Sequence, residues 1–387
     1  MNVAIVGGGI VGLASAYYLA ERGATVTVYE KGSIGSGSTE RSVGGIRAQF
    51  STPVNVELSL ASMEIWETFE ENFGVDIAYR RPGYLFAARE AATAEAFEEQ
   101  VAMQNELGVP SELLDPEEAT EYCPGLRADE FVGATYSPTD GFADPHLALQ
   151  GFAEAAREAG AEIHTKTGVT EIHREGGEVT GITAEGERED ADFVVNAAGP
   201  WARRVAEMAD VDLPVAPKRR QMIVVDPETP VPEDVPLTID LDTGSHFRPE
   251  REGKALVGGH FAGETEGDAD PDQNPDGFDR NIDLDWAAEA IERAGDCAAY
   301  FGQESEIRRG WAGLYAVTPD HHPIVGETVP GFINAVGFSG HGFQHAPATG
   351  QIVAELVLDG EASLVDISAL GSDRFETGEL VEERNVA

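Results

Sequence analysis

The stretch VAIVGGGIVG at residues 3–12 decides the fold of this 387-residue chain. Its four leading apolar residues have the length of a buried parallel strand, and the glycines that follow fit the pattern G-x-G-x-x-G. Apolar residues at helical spacing continue to Gly23, and TVTVY at residues 25–29 predicts a second strand. Glu30 ends that strand, 18 residues after Gly12. The order predicts a strand, a glycine turn, a helix and a second strand.

Each member of this motif has a mechanical reason. Gly7 permits a tight turn, Gly9 lets backbone N–H groups approach a pyrophosphate, and Gly12 lets the helix pack closely on the strand. The helix N-terminus carries about half a positive charge toward the phosphates, and Glu30 can accept hydrogen bonds from a ribose. A glycine-rich loop in an unrelated α/β protein is the alternative. The complete unit predicts dinucleotide binding, but the motif alone does not separate FAD from NAD.

The composition is that of an ordinary globular protein, with 42% hydrophobic and 25% charged residues. The length predicts two or three domains and is ample for a buried core. The only cysteines are Cys123 and Cys297. This count excludes a disulfide framework and a cysteine-based metal site.

The charge balance is unusual, because 26 Lys and Arg face 70 Asp and Glu, for a net charge of −44. Such a surface repels itself at low salt and is screened at high salt, where the Debye length falls to about 3 Å at 1 M. The pattern resembles that of halophilic proteins from cells that accumulate salt in the cytoplasm. It predicts that neither nucleic acid nor an anionic membrane is a partner.

No targeting segment is convincing. Residues 1–20 lack charged side chains, as a signal peptide core does, but they also lack a basic n-region and are interrupted by four glycines. A core strand followed by a helix explains them better. We therefore predict a cytoplasmic protein without a membrane span.

The rest of the chain alternates between helical and strand-like blocks, which predicts the α/β class: a Rossmann-like parallel sheet with a mixed-sheet substrate domain. Residues 54–73 predict one helix, and the acidic stretch 262–281 predicts a loop. Dinucleotide signatures lie at both ends, so the cofactor domain is expected to be discontinuous. The expected boundaries are 1–75, 145–213 and 318–375 for the cofactor domain, 76–144 and 214–317 for the substrate domain, and 376–387 for a tail.

Further motifs extend along the chain. They are SGSTERSVGGIRAQF (36–50), DGFADP (140–145), NAAGPW (196–201), FRP (247–249), VGGH (257–260), WAGLYAVTPD (311–320) and GFSGHGF (337–343). Together with the N-terminal motif, this set resembles the FAD-dependent amine and amino-acid oxidoreductases typified by D-amino acid oxidase, glycine oxidase and sarcosine oxidase. The resemblance runs from residue 1 to about residue 375. It implies FAD, because this family pairs the N-terminal glycine motif with the C-terminal GFSGHGF loop.

The resemblance implies that the C-terminal loop lies beside the flavin pyrimidine ring and that residues 36–47 cross the other face. Backbone N–H groups of residues 340–343 and the helix that follows would stabilise negative charge on the reduced flavin. The residues expected to contact FAD are Gly7, Gly9, Gly12, Glu30, Ser38, Thr39, Arg41, Gly45, Val169, Ala198, Gly199, Trp201, Gly313, Gly340, His341, Gly342 and Phe343.

The resemblance also implies a substrate site. Arg47 is expected to fix a substrate carboxylate, since a guanidinium can bind a carboxylate through two hydrogen bonds. Surface ion pairing is the alternative in so acidic a chain. The other residues expected at the reacting centre are His260, Tyr315 and Gln344. Should Arg47 be structural, the remaining candidates for the carboxylate are Arg220, Arg248 and Arg309.

Four positions depart from relatives within this resemblance. Gly313 stands where the sarcosine oxidases carry the cysteine that attaches the flavin, so we expect FAD to be bound non-covalently. Gln344 replaces a lysine of those enzymes. Leu256 replaces the lysine that activates oxygen, which favours a dehydrogenase over an oxidase. Tyr315 replaces an arginine of the glycine oxidases, which favours the sarcosine and dimethylglycine type.

Two sequence patterns resemble those of metal sites, and both are incomplete. His341 and His345 have the i, i+4 spacing of helix ligands, but the glutamate of an H-E-x-x-H motif is absent, so we predict no metal. Asp268, Asp270 and Asp272 have a calcium-loop spacing, yet no glycine follows Asp272. A solvated acidic loop explains these carboxylates better.

The sequence thus predicts oxidation of the C–N bond in a small amino acid or N-methyl amino acid, of the sarcosine or dimethylglycine type, by hydride transfer to flavin. The expected partners are a small amine or amino-acid substrate and an electron-acceptor protein. A D-amino acid or proline dehydrogenase is the alternative among enzymes. A non-catalytic FAD-binding assembly factor is the alternative from another class, because relatives with the Gly-Ile-Arg-x-Gln-Phe loop include such proteins.

Overall fold

The computed structural model of the protein describes residues 1–261, 271–378 and 380–386. The acidic loop predicted at residues 262–281 therefore lies partly outside the described residues. Asp268 and Asp270, two of the three carboxylates with calcium-loop spacing, also lie outside them. Residues 271–281 form neither helix nor strand, as predicted.

Helices and strands alternate along the chain. The helices are α1 (Ile10–Glu21), α2 (Pro53–Glu67), α3 (Phe69–Phe73), α4 (Ala91–Glu106), α5 (Pro116–Ala119), α6 (Pro145–Glu158), α7 (Ala202–Glu207), α8 (Leu284–Cys297), α9 (Ala346–Leu358) and α10 (Arg374–Thr377). The single helix predicted over 54–73 is divided. Thr68 lies between α2 and α3, and its hydroxyl donates a hydrogen bond to the Glu64 carbonyl oxygen at 2.8 Å.

The strands from the first half of the chain are β1 (Asn2–Val6), β2 (Thr25–Glu30), β3 (Gly45–Ile46), β4 (Tyr84–Ala88), β5 (Glu112–Leu114), β6 (Gly133–Ser137), β7 (Gly141–Phe142), β8 (Glu162–Thr165), β9 (Val169–Glu175), β10 (Glu178–Ala184) and β11 (Glu187–Asp190). The later strands are β12 (Phe193–Asn196), β13 (Ala216–Asp226), β14 (Leu237–Asp240), β15 (Ser245–Pro249), β16 (Ala255–Gly259), β17 (Glu306–Val317), β18 (Ile324–Val329) and β19 (Phe332–Val336).

A six-stranded sheet with the order β18-β19-β12-β1-β2-β8 forms the centre of the cofactor half. The predicted N-terminal unit is confirmed, because β1 pairs in parallel with both β2 and β12. Val6, the last residue of β1, lies opposite Tyr29 and Asn196. The loops after these three strands therefore meet at one edge of the sheet, where open parallel sheets bind ligands.

An eight-stranded sheet with the order β17-β13-β16-β15-β14-β4-β6-β5 forms the other half. Most of its pairs are antiparallel, but β14 runs parallel to β4. The molecule is thus an α/β protein with one largely parallel sheet and one mixed sheet, as the sequence predicts. The exact domain boundaries stay a prediction.

The core of the cofactor half is built on close helix packing. α1 packs against α9 and α6, and a Cβ atom at Gly350 of α9 would lie 2.7 Å from the Ala14 carbonyl carbon of α1. A side chain at that position would push the two helices apart. α1 is thereby fixed with its N-terminus beside the glycine turn.

No helix of the described residues is both long enough and apolar enough to cross a membrane.

Candidate active site

One cavity of about 780 Å³ runs between the two sheets, within the usual range of ligand pockets. Of the residues predicted to bind cofactor or substrate, all except Gly12 line it. They come from the glycine turn, the end of β2, the segment around residues 35–47, the start of β9, the loops after β12 and β16, strand β17 and the loop before α9. The fold thus brings segments from distant parts of the sequence to one chamber.

The glycine turn has the geometry that its sequence predicts. Gly7 has φ +116°, and a Cβ atom there would lie 2.5 Å from the Ala197 carbonyl oxygen. Gly12 lies outside the cavity wall because it faces the strand, where a Cβ atom would lie 2.0 Å from the Gly7 carbonyl oxygen. The Glu30 carboxylate accepts hydrogen bonds from Gly8 N at 2.8 Å and Gly32 N at 2.6 Å. An acid is therefore held beside the turn, at the end of β2.

The segment after β2 is fastened to both halves. Thr39 Oγ1 accepts a hydrogen bond from Ile10 N at 3.2 Å, at the start of α1. Ser38 Oγ donates to the Leu314 carbonyl oxygen on β17 at 2.6 Å. Arg41 lies over Gly313, where an added Cβ atom would come within 3.0 Å of Arg41 Cβ. The space for a side chain at position 313 is therefore taken by Arg41.

The loop before α9 presents backbone N–H groups to the cavity. The His341 N–H donates to the Phe338 carbonyl oxygen at 2.8 Å. The N–H groups of Gly340, Gly342 and Phe343 make no hydrogen bond within the part of the chain that the structure describes. Gly340 has φ +100°, and a Cβ atom there would lie 2.4 Å from the Tyr315 ring. These donors and the N-terminus of α9 could stabilise negative charge.

Arg47 lies in the cavity wall but is almost fully buried, with 4% of its surface exposed. Its guanidinium donates hydrogen bonds to the Gln49 carbonyl oxygen (2.5 Å), to His341 Nε2 (3.1 Å) and to the Asn385 carbonyl oxygen. Its Cζ lies 3.9 Å from the centre of the Phe50 ring. The described hydrogen bonds of the predicted carboxylate anchor thus all go to protein groups.

Gln344 is buried beside this arginine. Its side-chain oxygen accepts a hydrogen bond from Arg47 N at 3.2 Å, and its amide nitrogen donates to the Arg47 carbonyl oxygen at 3.4 Å. Its own carbonyl oxygen accepts from Trp66 Nε1 at 2.9 Å. Gln344 therefore ties the loop before α9 to β3, the strand that ends next to Arg47.

The chamber beside the eight-stranded sheet is lined by His246, His260, Tyr315 and Arg220. The ring centres of His246 and His260 are 6.3 Å apart, and those of His260 and Tyr315 are 5.4 Å apart. Burial, together with Arg220, holds the pKa of His260 well below its usual range, and burial lowers the pKa of His246 to about 4. Both imidazoles are therefore neutral at neutral pH.

Arg220 is the second arginine of this chamber. Its Cζ lies 5.8 Å from the Tyr315 ring centre, and β13 pairs with β17 so that Arg220 lies opposite Gly313. The other two arginines that could bind the substrate carboxylate lie elsewhere. Arg248 lies outside the cavity wall and donates a hydrogen bond to the Val43 carbonyl oxygen. Arg309 also lies outside the cavity wall and is exposed. Sequence alone offered no signal that separates these three arginines, because the pairing of β13 with β17 spans a long connection.

Asp276 lines the cavity with a half-exposed side chain, a feature that the sequence did not indicate. Its carboxylate accepts hydrogen bonds from Lys31, from Trp201 Nε1 at 2.8 Å and from Arg204 at 2.6 Å. Lys31 Nζ also lies 3.8 Å from the centre of the Trp201 ring. The hydrogen bonds from Lys31 and Trp201 hold the pKa of Asp276 down at about 2. The segment that carries Asp276 is thereby fastened to three other residues of the cavity wall.

The two histidines weighed as metal ligands have other partners. Their ring centres are 6.2 Å apart, and His341 accepts a hydrogen bond from Arg47 while His345 Nε2 lies 3.0 Å from Ser59 Oγ. Within the described residues, no three His, Cys, Asp or Glu side chains come together as a metal site. Cys123 and Cys297 are buried free thiols in the core of the other half.

These features define an FAD-dependent oxidoreductase. The profile of the DAO family, described as FAD dependent oxidoreductase, matches residues 2–356, and the chain belongs to that family. The similarity of the whole set of motifs to amine and amino-acid oxidoreductases is thereby confirmed, and FAD is the cofactor.

Similar proteins share the whole chain. "FAD-dependent oxidoreductase domain-containing protein 1" of Xenopus laevis is 32% identical over 100% of this chain and 84% of its own length. The mitochondrial dimethylglycine dehydrogenase of Rattus norvegicus is 29% identical over 96% of this chain and 44% of its own length. The crystal structure of L-proline dehydrogenase from P. horikoshii is 34% identical, with a TM-score of 0.88, and the match covers 98% of this chain and 99% of that one.

The residues present fit FAD. A side chain at Gly7 would collide with the Ala197 carbonyl group, so the tight turn of a pyrophosphate-binding motif needs glycine there. Glu30, in the cavity wall at the end of β2, would accept hydrogen bonds from a ribose, and the N–H groups before α9 would meet the electron-rich flavin ring. Glycine at 313 with Arg41 packed over it leaves no attachment group at that position.

Proposed function

We propose that this chain is a dehydrogenase that oxidises the C–N bond of a small N-substituted amino acid, of the sarcosine or dimethylglycine type. The observation that carries the proposal is a continuous cavity in which the cofactor-binding turn leads into a chamber with two arginines, two neutral histidines and Tyr315. Bound FAD supplies the acceptor for the hydride that leaves the carbon next to nitrogen. The chain's own residues bind and orient the substrate and exclude water.

The charges of the chamber suit an amino acid whose amine is neutral. Arg47 and Arg220 offer cations for a carboxylate. The neutral imidazoles of His246 and His260 and the ring of Tyr315 form a wall without negative charge, which disfavours an ammonium group over an amine. Burial raises the pKa of Tyr315, so its hydroxyl stays protonated. An amine that has lost its extra proton gives up hydride more readily than an ammonium.

The apolar part of the chamber gives one reason to retain a second candidate. Met222, Leu237 and Ile239 line the cavity on the side of the eight-stranded sheet, and they could pack on an aliphatic ring. The similarity to the L-proline dehydrogenase structure points the same way. A proline-type dehydrogenase is therefore the alternative, with the same cofactor and the same chemistry.

Weak use of oxygen is part of the proposal. Leu256, which takes the place of the oxygen-activating lysine in the resemblance, is buried in β16 with 3% exposure. Two other residues could supply a cation in this role, His260 and Arg47. The lowered pKa of His260 leaves it neutral, and the described hydrogen bonds of the Arg47 guanidinium go to Gln49, His341 and Asn385. We expect the reduced protein to react slowly with oxygen and quickly with a dye acceptor. Stopped-flow mixing of the reduced protein with each acceptor at the same salt concentration measures the two rates of reoxidation. Reoxidation by oxygen as fast as turnover would make it an oxidase.

Anaerobic titration tests the function itself. The protein is purified in high salt, and sarcosine, N,N-dimethylglycine, L-proline, D-alanine and glycine are added in turn without oxygen while the flavin absorbance is followed. We expect bleaching by a secondary or tertiary amino acid and none by the matching amine that lacks a carboxylate. If dithionite bleaches the flavin and no amine does, the proposal fails and the non-catalytic FAD-binding protein becomes the better reading.

A further inference from the structure

The last described segment, residues 380–386, lies in the stretch 376–387 that the sequence predicts as a tail, and it packs into the molecule. Glu383 and Asn385 are buried, with 0% and 1% of their surfaces exposed. Glu383 N donates a hydrogen bond to the Asp320 carbonyl oxygen at 3.1 Å. The segment therefore fills a space beside residues 47–52, which join β3 to α2, and beside the first turn of α2.

The Glu383 carboxylate is fully satisfied by hydrogen bonds. One oxygen accepts from Ser51 N (2.8 Å), Ser51 Oγ (2.7 Å) and Asn385 N (3.0 Å), and the other from Thr52 Oγ1 (2.6 Å) and Asn55 Nδ2 (3.1 Å). Thr52 is the residue that precedes α2. The carboxylate thus lies at the positive end of a 15-residue helix, where a negative charge is stabilised.

The same segment holds Arg47. The Asn385 carbonyl oxygen accepts a hydrogen bond from the Arg47 guanidinium, and Asn385 Nδ2 donates to the Gln49 carbonyl oxygen at 3.3 Å. Burial lowers the pKa of Arg47, and Glu383 is the charge that opposes this effect most. A buried cation needs a partner charge, because removal from water is costly.

We propose that Glu383 is the counter-charge of Arg47 and that it sets the affinity of the candidate active site for a carboxylate, while residues 380–386 hold the guanidinium in place. This inference rests on the proposed function, in which Arg47 faces the carboxylate of the substrate. The carboxylates of the substrate and of Glu383 then compete for electrostatic interaction with the one guanidinium of Arg47. Glu383 is a positioning and specificity-determining residue, since it lies outside the cavity wall and acts through Arg47.

Paired probes test this role in the full-length, FAD-loaded protein. Pyrrole-2-carboxylate and its uncharged analogue pyrrole-2-carboxamide are titrated while the flavin absorbance is followed. Glu383→Gln keeps the shape of the side chain and removes its charge. We expect the Kd for the carboxylate to fall by about threefold to tenfold, and the Kd for the carboxamide to stay within about twofold.

Glu382→Gln is the matched control, because it makes the same change in net charge one residue away. Its side chain is 62% exposed and lies 3.9 Å from His321. We expect neither Kd to move. Equal changes for both probes in Glu383→Gln, no change, or weaker binding of the carboxylate would each overturn the proposal, since a purely structural residue does not distinguish the two probes in this direction.

Thermal unfolding supplies a second test that remains valid if Glu383→Gln folds poorly or the probes do not bind. Arg47→Gln, Glu383→Gln and the double variant form a cycle. Each single change leaves one of the two buried charges without the opposite charge, and the double change removes both charges. We expect the double variant to be more stable than Glu383→Gln alone. A double variant that is no more stable, or that does not fold, overturns the proposal.

The two proposals fail in different ways. If no amine bleaches the flavin, the proposed function fails, while the unfolding cycle still measures the coupling of Glu383 to Arg47. If amines bleach the flavin but the cycle is additive, the function stands and the role of Glu383 is wrong.

Discussion

Single residues at the cavity wall decide how the cofactor is held. Gly313 carries no attachment group, and Arg41 covers it. We predict that precipitation of the protein with acid releases the flavin into the supernatant. Protein loaded with FAD after removal of its flavin serves as the control for complete release. Flavin that stays in the pellet would point to covalent attachment elsewhere in the chain.

Arg47 and Arg220 allow a direct comparison of two guanidinium groups. We predict that Arg47→Ala weakens binding of the substrate that bleaches the flavin, with a loss on the order of 2–5 kcal/mol for a buried charge pair. FAD affinity should change far less. Arg220→Ala is the companion variant. If Arg220→Ala abolishes substrate binding and Arg47→Ala moves it by less than about threefold, Arg47 is structural and Arg220 is the carboxylate anchor.

Residues whose role depends on neighbours in the sequence could be predicted from it. Gly7 and Glu30 belong to one strand-turn-helix-strand unit, so their positions follow from local spacing. The contact between Arg47 and Asn385 joins residues 338 positions apart. No local pattern encodes it, since it depends on the path of the whole chain. The sequence therefore indicated the arginine and left its partner unseen.

At the level of elements, the sequence predicted the nature of many strands but not their neighbours. The pairing of β13 with β17 brings Arg220 opposite Gly313, and the pairing of β14 with β4 is parallel within a mixed sheet. Alternating apolar residues indicate a strand, whereas the choice of partner depends on long connections between strands. The composition of the substrate chamber could therefore be read only from the fold.

Asp276 fastens residues 271–281 to the cavity wall, which leads to a prediction on cofactor retention. Asp276→Asn should accelerate FAD dissociation by about threefold or more, because exposed ion pairs are individually weak but three donors share this carboxylate. The rate is measured by the fluorescence of flavin released on dilution.

Asp272→Asn is the matched control for this variant. Asp272 lies in the same segment, residues 271–281. It pairs with Lys218 of β13 at 2.8 Å, and neither residue lines the cavity. The change in charge is identical. Equal rates of FAD release from both variants would show that Asp276 does not contribute to the retention of FAD.

Buried histidines of the loop before α9 and its neighbours make stability depend on pH. Burial, with Arg47 nearby, lowers the pKa of His345 to about 3, below the value of about 6.5 in an unfolded chain. Below about pH 6.5 the unfolded chain therefore binds a proton at His345, whereas the folded chain does not. The contribution to the free energy of unfolding is full above pH 6.5 and is lost as the pH falls toward 3.

We therefore predict that His345→Gln reduces the loss of stability on acidification. Between pH 7.5 and pH 5 the wild-type chain should lose about 2 kcal/mol through this residue, and the variant should lose that much less. Denaturant unfolding at high salt measures the difference. His146→Gln, an exposed position on α6, is the control. The same pH dependence in His345→Gln and wild type would contradict the assignment.

On the scale of the whole molecule, the net charge of −44 opposes folding unless ions screen it. Acidic side chains dominate exposed elements such as β11, where all four residues are exposed. Salt acts in two directions, since it also weakens attractive pairs such as those of Asp276. The repulsion involves far more charges than the pairs do, so the sum favours the folded state as salt rises.

We predict that the midpoint of thermal unfolding rises steeply with KCl at low concentration and levels off near about 1 M, where the Debye length is only about 3 Å. Salting-out of apolar groups would instead continue to rise with salt, and sucrose, which is excluded from the surface without screening charge, isolates that kind of effect. Over the same range FAD release should quicken with salt in wild type but not in Asp276→Asn, because the pairs that salt weakens are already gone. A midpoint that is equal at low and high KCl would mean that the acidic surface is not under repulsive strain, and the inference of adaptation to salt would fall with it.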